Sequence, residues 1–156
     1  MSSLQSQLEA VKKTMMKRHS RITESSVKVK PVSKLCSGDT LMRLYVCGSF
    51  RFRREIEELE QKLKKENIQC QSSKMDAGGI LGCLKKVDDA DVVYVVDPEG
   101  YVGKSVSVDI GYAYGKGKAI YVMHPVDDPP IMDLTNGVLP PKALIDLFKR
   151  SPANTQ

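Results

Sequence analysis

Three short stretches of this 156-residue chain carry residue types and spacings that can do chemistry. The first is Cys47-Gly48-Ser49-Phe50-Arg51-Phe52. Gly48 lets backbone approach a ligand closely, Ser49 offers a hydroxyl, and Arg51 offers a planar fork of donors at an expected helix start. Unpaired N–H groups at a helix N-terminus already favour an anion, and Arg53 and Arg54 add positive charge. The combination suits a phosphate, although a strand-to-helix turn with solvated arginines uses the same residues. The second stretch runs from Asp97 to Ser105 and ends in Gly103-Lys104-Ser105 after an apolar run, which invites a phosphate-loop reading. That motif needs glycine at position 98, which is Pro98, so the reading fails. A flexible Gly100/Gly103 loop opening a helix at Ser105 remains, with the Ser105 hydroxyl placed to cap it.

The third stretch is Ser105–Ala113, in which Asp109 has apolar neighbours Val106, Val108 and Ile110, while Gly111 and Ala113 permit close packing. One carboxylate in an apolar first turn, facing a crevice, is a candidate nucleophile. An exposed carboxylate interacting favourably with the helix dipole fits equally well, and the residues leave both open.

These stretches need elements to position them. Leu41–Val46 reads as a short strand ending in a tight turn, and Arg53–Glu66 as a helix with Phe52, Ile56, Leu59 and Leu63 on one face. Pairs Glu58/Lys62 and Glu60/Lys64 are expected on its other faces. Ile68–Gln71 is a second strand and Gly79–Val87 a helix weakened by Gly82. Val92–Val96 is an unbroken apolar run typical of a strand buried on both faces. Ser105–Lys116 is a helix, Ala119–Met123 a fourth strand and Pro140–Phe148 a closing helix after a Pro-rich loop. The alternation predicts an α/β fold: a doubly wound parallel sheet of four or five strands, flavodoxin-like or Rossmann-like. The expected strand order is 2-1-3-4, with a fifth strand near Val138. Strands one and three are then neighbours from which the chain winds away in opposite directions, and ligands bind at such a switch point.

Composition sets the frame. With 41% hydrophobic and 28% charged residues the chain reads as an ordinary soluble globular protein. No apolar run approaches the roughly 18 residues of a membrane helix, and no secretory pattern opens the chain. The net charge is +5, but residues 1–34 hold eight Lys and Arg against two Glu, a surplus of six that leaves the rest at −1. The core therefore has no general attraction for nucleic acid. Cys36, Cys47, Cys70 and Cys83 form no C-x-x-C pair and His19 and His124 lie far from any pair, so no metal is expected and reduced thiols in a cytoplasm are the default.

Residues 1–40 read as a basic extension and linker, 41–150 as the domain and 151–156 as a tail. Leu4, Leu8, Val11, Met15 and Ile22 make an apolar helical stripe interrupted by Arg18. It suits a marginal helix on its own domain, an arm pairing with a second subunit, or an organellar targeting segment.

Tyr45-Val46-Cys47-Gly48-Ser49-Phe50-Arg51, Asp88–Asp97 and Gly103–Ala113 together resemble the nucleoside 2-deoxyribosyltransferase family. The opening is especially similar to its 2'-deoxynucleoside 5'-phosphate N-hydrolase branch, and the resemblance covers roughly residues 42–140. It implies cleavage or transfer at the N-glycosidic bond of a nucleoside or nucleoside 5'-monophosphate, without a cofactor, by retaining logic. It puts Asp109 in the nucleophile's position, Tyr45 and Gly48 around the sugar and base, and Ser49, Arg51 and Ser105 on a 5'-phosphate. Asp97 and Gly103 complete the expected substrate site. Family members are usually homodimers or higher homo-oligomers, with Asn136 the expected contributor to a neighbour's site. Two residues depart: the family nucleophile is Glu, and its Asp on the preceding helix corresponds to Cys83. The altered carboxylates also suit a catalytically weak or inactive nucleotide-binding module of the same fold.

Overall fold

Val92–Val96 forms β3, the middle strand of a five-stranded sheet in the computed structural model, which describes Ser6, Glu9 and residues 41–74 and 78–151. The other elements are β1 (Leu44–Gly48), α1 (Arg53–Lys65), β2 (Cys70–Ser72), α2 (Gly79–Asp89), α3 (Lys104–Gly115), β4 (Ala119–Val122), α4 (Pro129–Asp133), β5 (Gly137–Val138) and α5 (Pro141–Lys149). The order is β2-β1-β3-β4-β5 and every pairing is parallel, as the alternating pattern predicted.

Strand alternation decides what reaches each side of the sheet. Val46, Tyr94 and Tyr121 face one layer with Ile56, Leu59 and Leu63 of α1 and Leu144 and Phe148 of α5. Tyr45, Cys47, Val93 and Val95 face the other with Val87 of α2 and Ile110 and Ala113 of α3. Tyr45 is thereby aimed at the layer that carries Asp109.

The element boundaries differ from the sequence expectation in four informative places. β1 runs on through Cys47 and Gly48, because Gly48 pairs with Val96 and a Cβ there would stand 2.8 Å from the Val96 carbonyl oxygen. The turn expected at Cys47 therefore comes later, as a 3-10 turn over Phe50–Phe52. The helix holding Asp109 starts at Lys104 with Gly103 as its N-cap, so Ser105 does not cap it and Asp109 lies in the second turn. Ser107 instead returns to the Gly103 carbonyl, through both its N–H (2.9 Å) and its hydroxyl (3.1 Å). The Pro-rich loop also contains a helix that was not expected, α4.

On α1 the ion pairs form one turn earlier than expected, Arg53 with Glu57 (2.7 Å) and Arg54 with Glu58 (3.1 Å). Glu60 turns towards β2, accepting from Ser72 and lying 3.8 Å from Lys74. Ser6 and Glu9 are helical and exposed, whereas the apolar stripe of the first 22 residues lies outside the described residues.

Candidate active site

At the carboxyl ends of β1 and β3 lies a cleft of about 620 Å³. Of the residues singled out in the sequence, Gly48, Ser49, Gly103, Ser105 and Asp109 line it. They come from the β1 exit and the first turns of α3, which the 2-1-3 strand order brings together.

Asp109 is only 3% exposed, which removes the exposed helix-dipole alternative. Its Oδ1 atom has no hydrogen-bond partner among the described residues. Burial pushes its carboxyl up to about 6, with the neighbouring Tyr45 hydroxyl pulling the other way. Tyr45 rises from β1 beneath it, fully buried, and its hydroxyl also lacks a partner of hydrogen-bonding geometry. Burial raises the Tyr45 phenol far above its ordinary value, and the neighbouring Asp109 carboxylate adds to this. A phenol that stays protonated beside a carboxylate that ionises near neutrality is a donor facing an acceptor. Buried unpartnered polar atoms cost about 1–3 kcal/mol each and cluster where function requires them.

Tyr45, expected around the sugar and base, is fully buried and does not line the cleft, and three further residues expected at the site lie elsewhere. Arg51 does not line the cleft: its guanidinium sits 4.5 Å from the centre of the Tyr101 ring and 5.2 Å from that of Phe52. It borders another, smaller cavity of about 430 Å³, with Glu99 and Asp128. Asp97 is fully buried beside the cleft rather than in it. Its Oδ1 accepts from the N–H groups of Met123 (2.7 Å) and His124 (3.0 Å), stitching the β3 exit to the β4 exit. Burial raises the Asp97 carboxyl to about 7 against these hydrogen bonds. Asn136 accepts from the Ile120 N–H (2.8 Å) and donates its own N–H to the Ile120 carbonyl (2.6 Å), so within this chain it fastens the turn before β5 to β4.

The cleft also contains residues outside the expected site, Cys83 among them as the position matching the family's Asp. Ser73 and Lys74 follow β2, Ile80 and Cys83 belong to α2, and Tyr101 and Lys104 flank Gly103. Lys74 carries no local signal, since only the β2–β1 pairing brings it here. Tyr101 did carry one: it is the aromatic residue of a Gly-containing loop at the switch point. Cys83 lies near the Tyr45 hydroxyl, and Asp109 is the one carboxylate lining the cleft among the described residues.

No protein-family profile and no curated protein matches the chain. Solved structures do. The sugar isomerase domain of an RpiR transcription factor from Sphaerobacter thermophilus matches with a TM-score of 0.50 and 14% identity, over 69% of this chain and 65% of that one. This chain thus spans a little under two thirds of that structure. The CMP N-glycosidase BcmB from Clostridium botulinum matches with a TM-score of 0.47 and 14% identity, over 69% of this chain and 98% of that one. A conserved protein from Enterococcus faecalis V583 gives 0.44 and 16%, over 69% and 88%. At such identities the likeness is one of fold, a doubly wound α/β sheet.

Proposed function

We propose that the chain cleaves, or transfers at, the N-glycosidic bond of a nucleoside or nucleoside 5'-monophosphate, with Asp109 as nucleophile. The observation that carries this reading is the Asp109 carboxylate: buried, unpartnered at Oδ1 among the described residues, and on the wall of a cleft at the switch point. The carboxylate attacks the anomeric carbon from one face as the bond to the base breaks on the other. The base leaves with the bonding electron pair and takes a proton from solvent. Water, or a second base, then displaces the sugar from Asp109 and frees the carboxylate. Tyr45 holds the carboxylate from below, and Gly48 and Ser49 line the sugar. The N–H groups at the start of α3, with Ser105, Lys104 and Lys74, receive an anion such as the 5'-phosphate. The motif resemblance over residues 42–140 supports the same chemistry.

One fact favours a second reading, a nucleotide-binding module without turnover. A second acid normally assists the leaving group, and here Cys83 stands where the family carries one. Incubating the purified protein with a panel of nucleosides and 5'-monophosphates, with and without an acceptor base, separates the two. Free or exchanged base by chromatography supports the enzyme; binding without release supports the module.

The same reading makes residues 41–150 the catalytic unit, 1–40 a basic extension, and the assembly a homodimer or larger homo-oligomer.

A further inference from the structure

Tyr101 is 44% exposed, unusual for a large aromatic side chain held so firmly in a loop. The segment before it is locked. Glu99 and Gly100 both take positive φ (60° and 77°), and a Cβ on Gly100 would stand 2.3 Å from the Pro125 carbonyl oxygen. The Gly100 N–H donates to the Asp97 carbonyl at 2.8 Å. The ring is fixed from the side as well. Phe52 meets it edge-on at 5.8 Å and 74°, and Arg51 covers it at 4.5 Å. Tyr101 borders both of these cavities, whereas Arg51 borders the smaller one and not the cleft. The ring thus separates the guanidinium from the cleft. Its Cε1 atom lies 3.7 Å from where a Cβ on Gly103 would be, and Ser49 Cβ lies 3.9 Å from the same point. The free aromatic surface therefore stands at the cleft mouth, over the loops that the proposed function assigns to the sugar.

We propose that Tyr101 is the platform on which the planar base of the ligand stacks, and that Arg51 is a positioning residue acting through Tyr101 rather than a phosphate contact. This rests on the reading of the cleft as a nucleoside site and adds a specificity-determining residue to it. A guanidinium over an aromatic face is held electrostatically and stiffens the ring. A preorganised ring loses little freedom when a base lands on it. Lys74 and Lys104, which do line the cleft, are left to meet the anion.

The test is binding by the full chain to three probes: a nucleoside, its 5'-monophosphate, and ribose 5-phosphate, which has no base. The chain has no Trp and six Tyr, so tyrosine fluorescence is readable alongside calorimetry. Tyr101→Ala should weaken the nucleoside and the monophosphate by about 5- to 100-fold and leave ribose 5-phosphate unmoved. Tyr101→Phe should hold all three within about twofold of wild type while losing part of the ligand-induced quenching. Arg51→Ala should weaken nucleoside and monophosphate by the same factor. Tyr101→Leu, which keeps an apolar side chain, serves if the alanine variant does not fold, with the same expected pattern. Two patterns overturn the proposal: Arg51→Ala sparing the nucleoside while weakening both phosphates, or Tyr101→Ala weakening ribose 5-phosphate as much as the nucleotides. Wild type that releases base, with KM unmoved by Tyr101→Ala, overturns the platform and leaves the proposed function standing. Wild type that binds nucleotides without releasing base, with that binding weakened by Tyr101→Ala and ribose 5-phosphate unmoved, does the reverse. Wild type that binds none of the three overturns both.

Discussion

The Tyr45 hydroxyl and the Asp109 carboxylate meet beneath the cleft, close enough to shift each other's ionisation. β1 supplies one and the second turn of α3 the other. Each is buried, and each keeps a polar atom free for a partner outside the pair.

Tyr45→Phe should therefore move the acid limb of the pH–rate profile for base release. The hydroxyl lowers the Asp109 pKa, so its removal should shift that limb upward from about 6. Thermal stability at low pH should be unchanged or slightly higher, since deleting an unpartnered buried hydroxyl removes a desolvation cost. A limb that moves downward would contradict this account of the pair.

Asp109 should cost the fold stability at neutral pH. Its folded pKa of about 6 lies above the ordinary 3.8, so the folded state binds more protons than the unfolded state between those values. Stability therefore falls as pH rises through that window. Asp109→Asn should be more stable than wild type at pH 7.5, by an amount on the order of 2–3 kcal/mol, and nearly equal to it at pH 4. Denaturant melts at the two pH values check the sign; a variant less stable at pH 7.5 than at pH 4, relative to wild type, would reverse it.

Asp97 should separate structure from chemistry. Asp97→Ala leaves the His124 N–H without its acceptor, and the Met123 N–H with the Val95 carbonyl alone, and should destabilise by about 1–3 kcal/mol. Asp97→Asn retains an acceptor oxygen and should lose less. Because Asp97 does not line the cleft, kcat for Asp97→Asn should stay within a few-fold of wild type, whereas a loss of several orders of magnitude would return Asp97 to the substrate site.

Much of this was legible because parallel sheets write themselves plainly. Val92–Val96 is apolar throughout since helices cover both its faces, and its boundaries matched residue for residue. β1 was harder: Cys47 and Gly48 look like a turn, and only the close approach of the Val96 carbonyl makes the glycine a strand residue. Site residues on elements were placed well, as with Gly48, Ser49, Ser105 and Asp109 in one cleft. Loop side chains were not. Arg51 carries the charge of a phosphate ligand, but its direction depends on Tyr101, fifty residues away. Asn136 and Asp97 are taken up by backbone partners on β4 and just beyond it, which no local motif announces.

The described strands from Leu44 to Val138 pair among themselves, with α1, α2, α3 and α5 covering both faces. Removing residues 1–40 should therefore leave a cooperative thermal transition within a few degrees of the full chain. Loss of that transition would make the extension part of the folding unit.

The central claim is that Asp109 attacks the sugar, and Asp109→Asn tests it with almost no change in shape. Base release from the best substrate of the panel should fall by several orders of magnitude. Affinity for that substrate should stay within a few-fold, because binding rests on the loops at 47–52 and 97–105. Base release by Asp109→Asn at the wild-type rate would contradict the account.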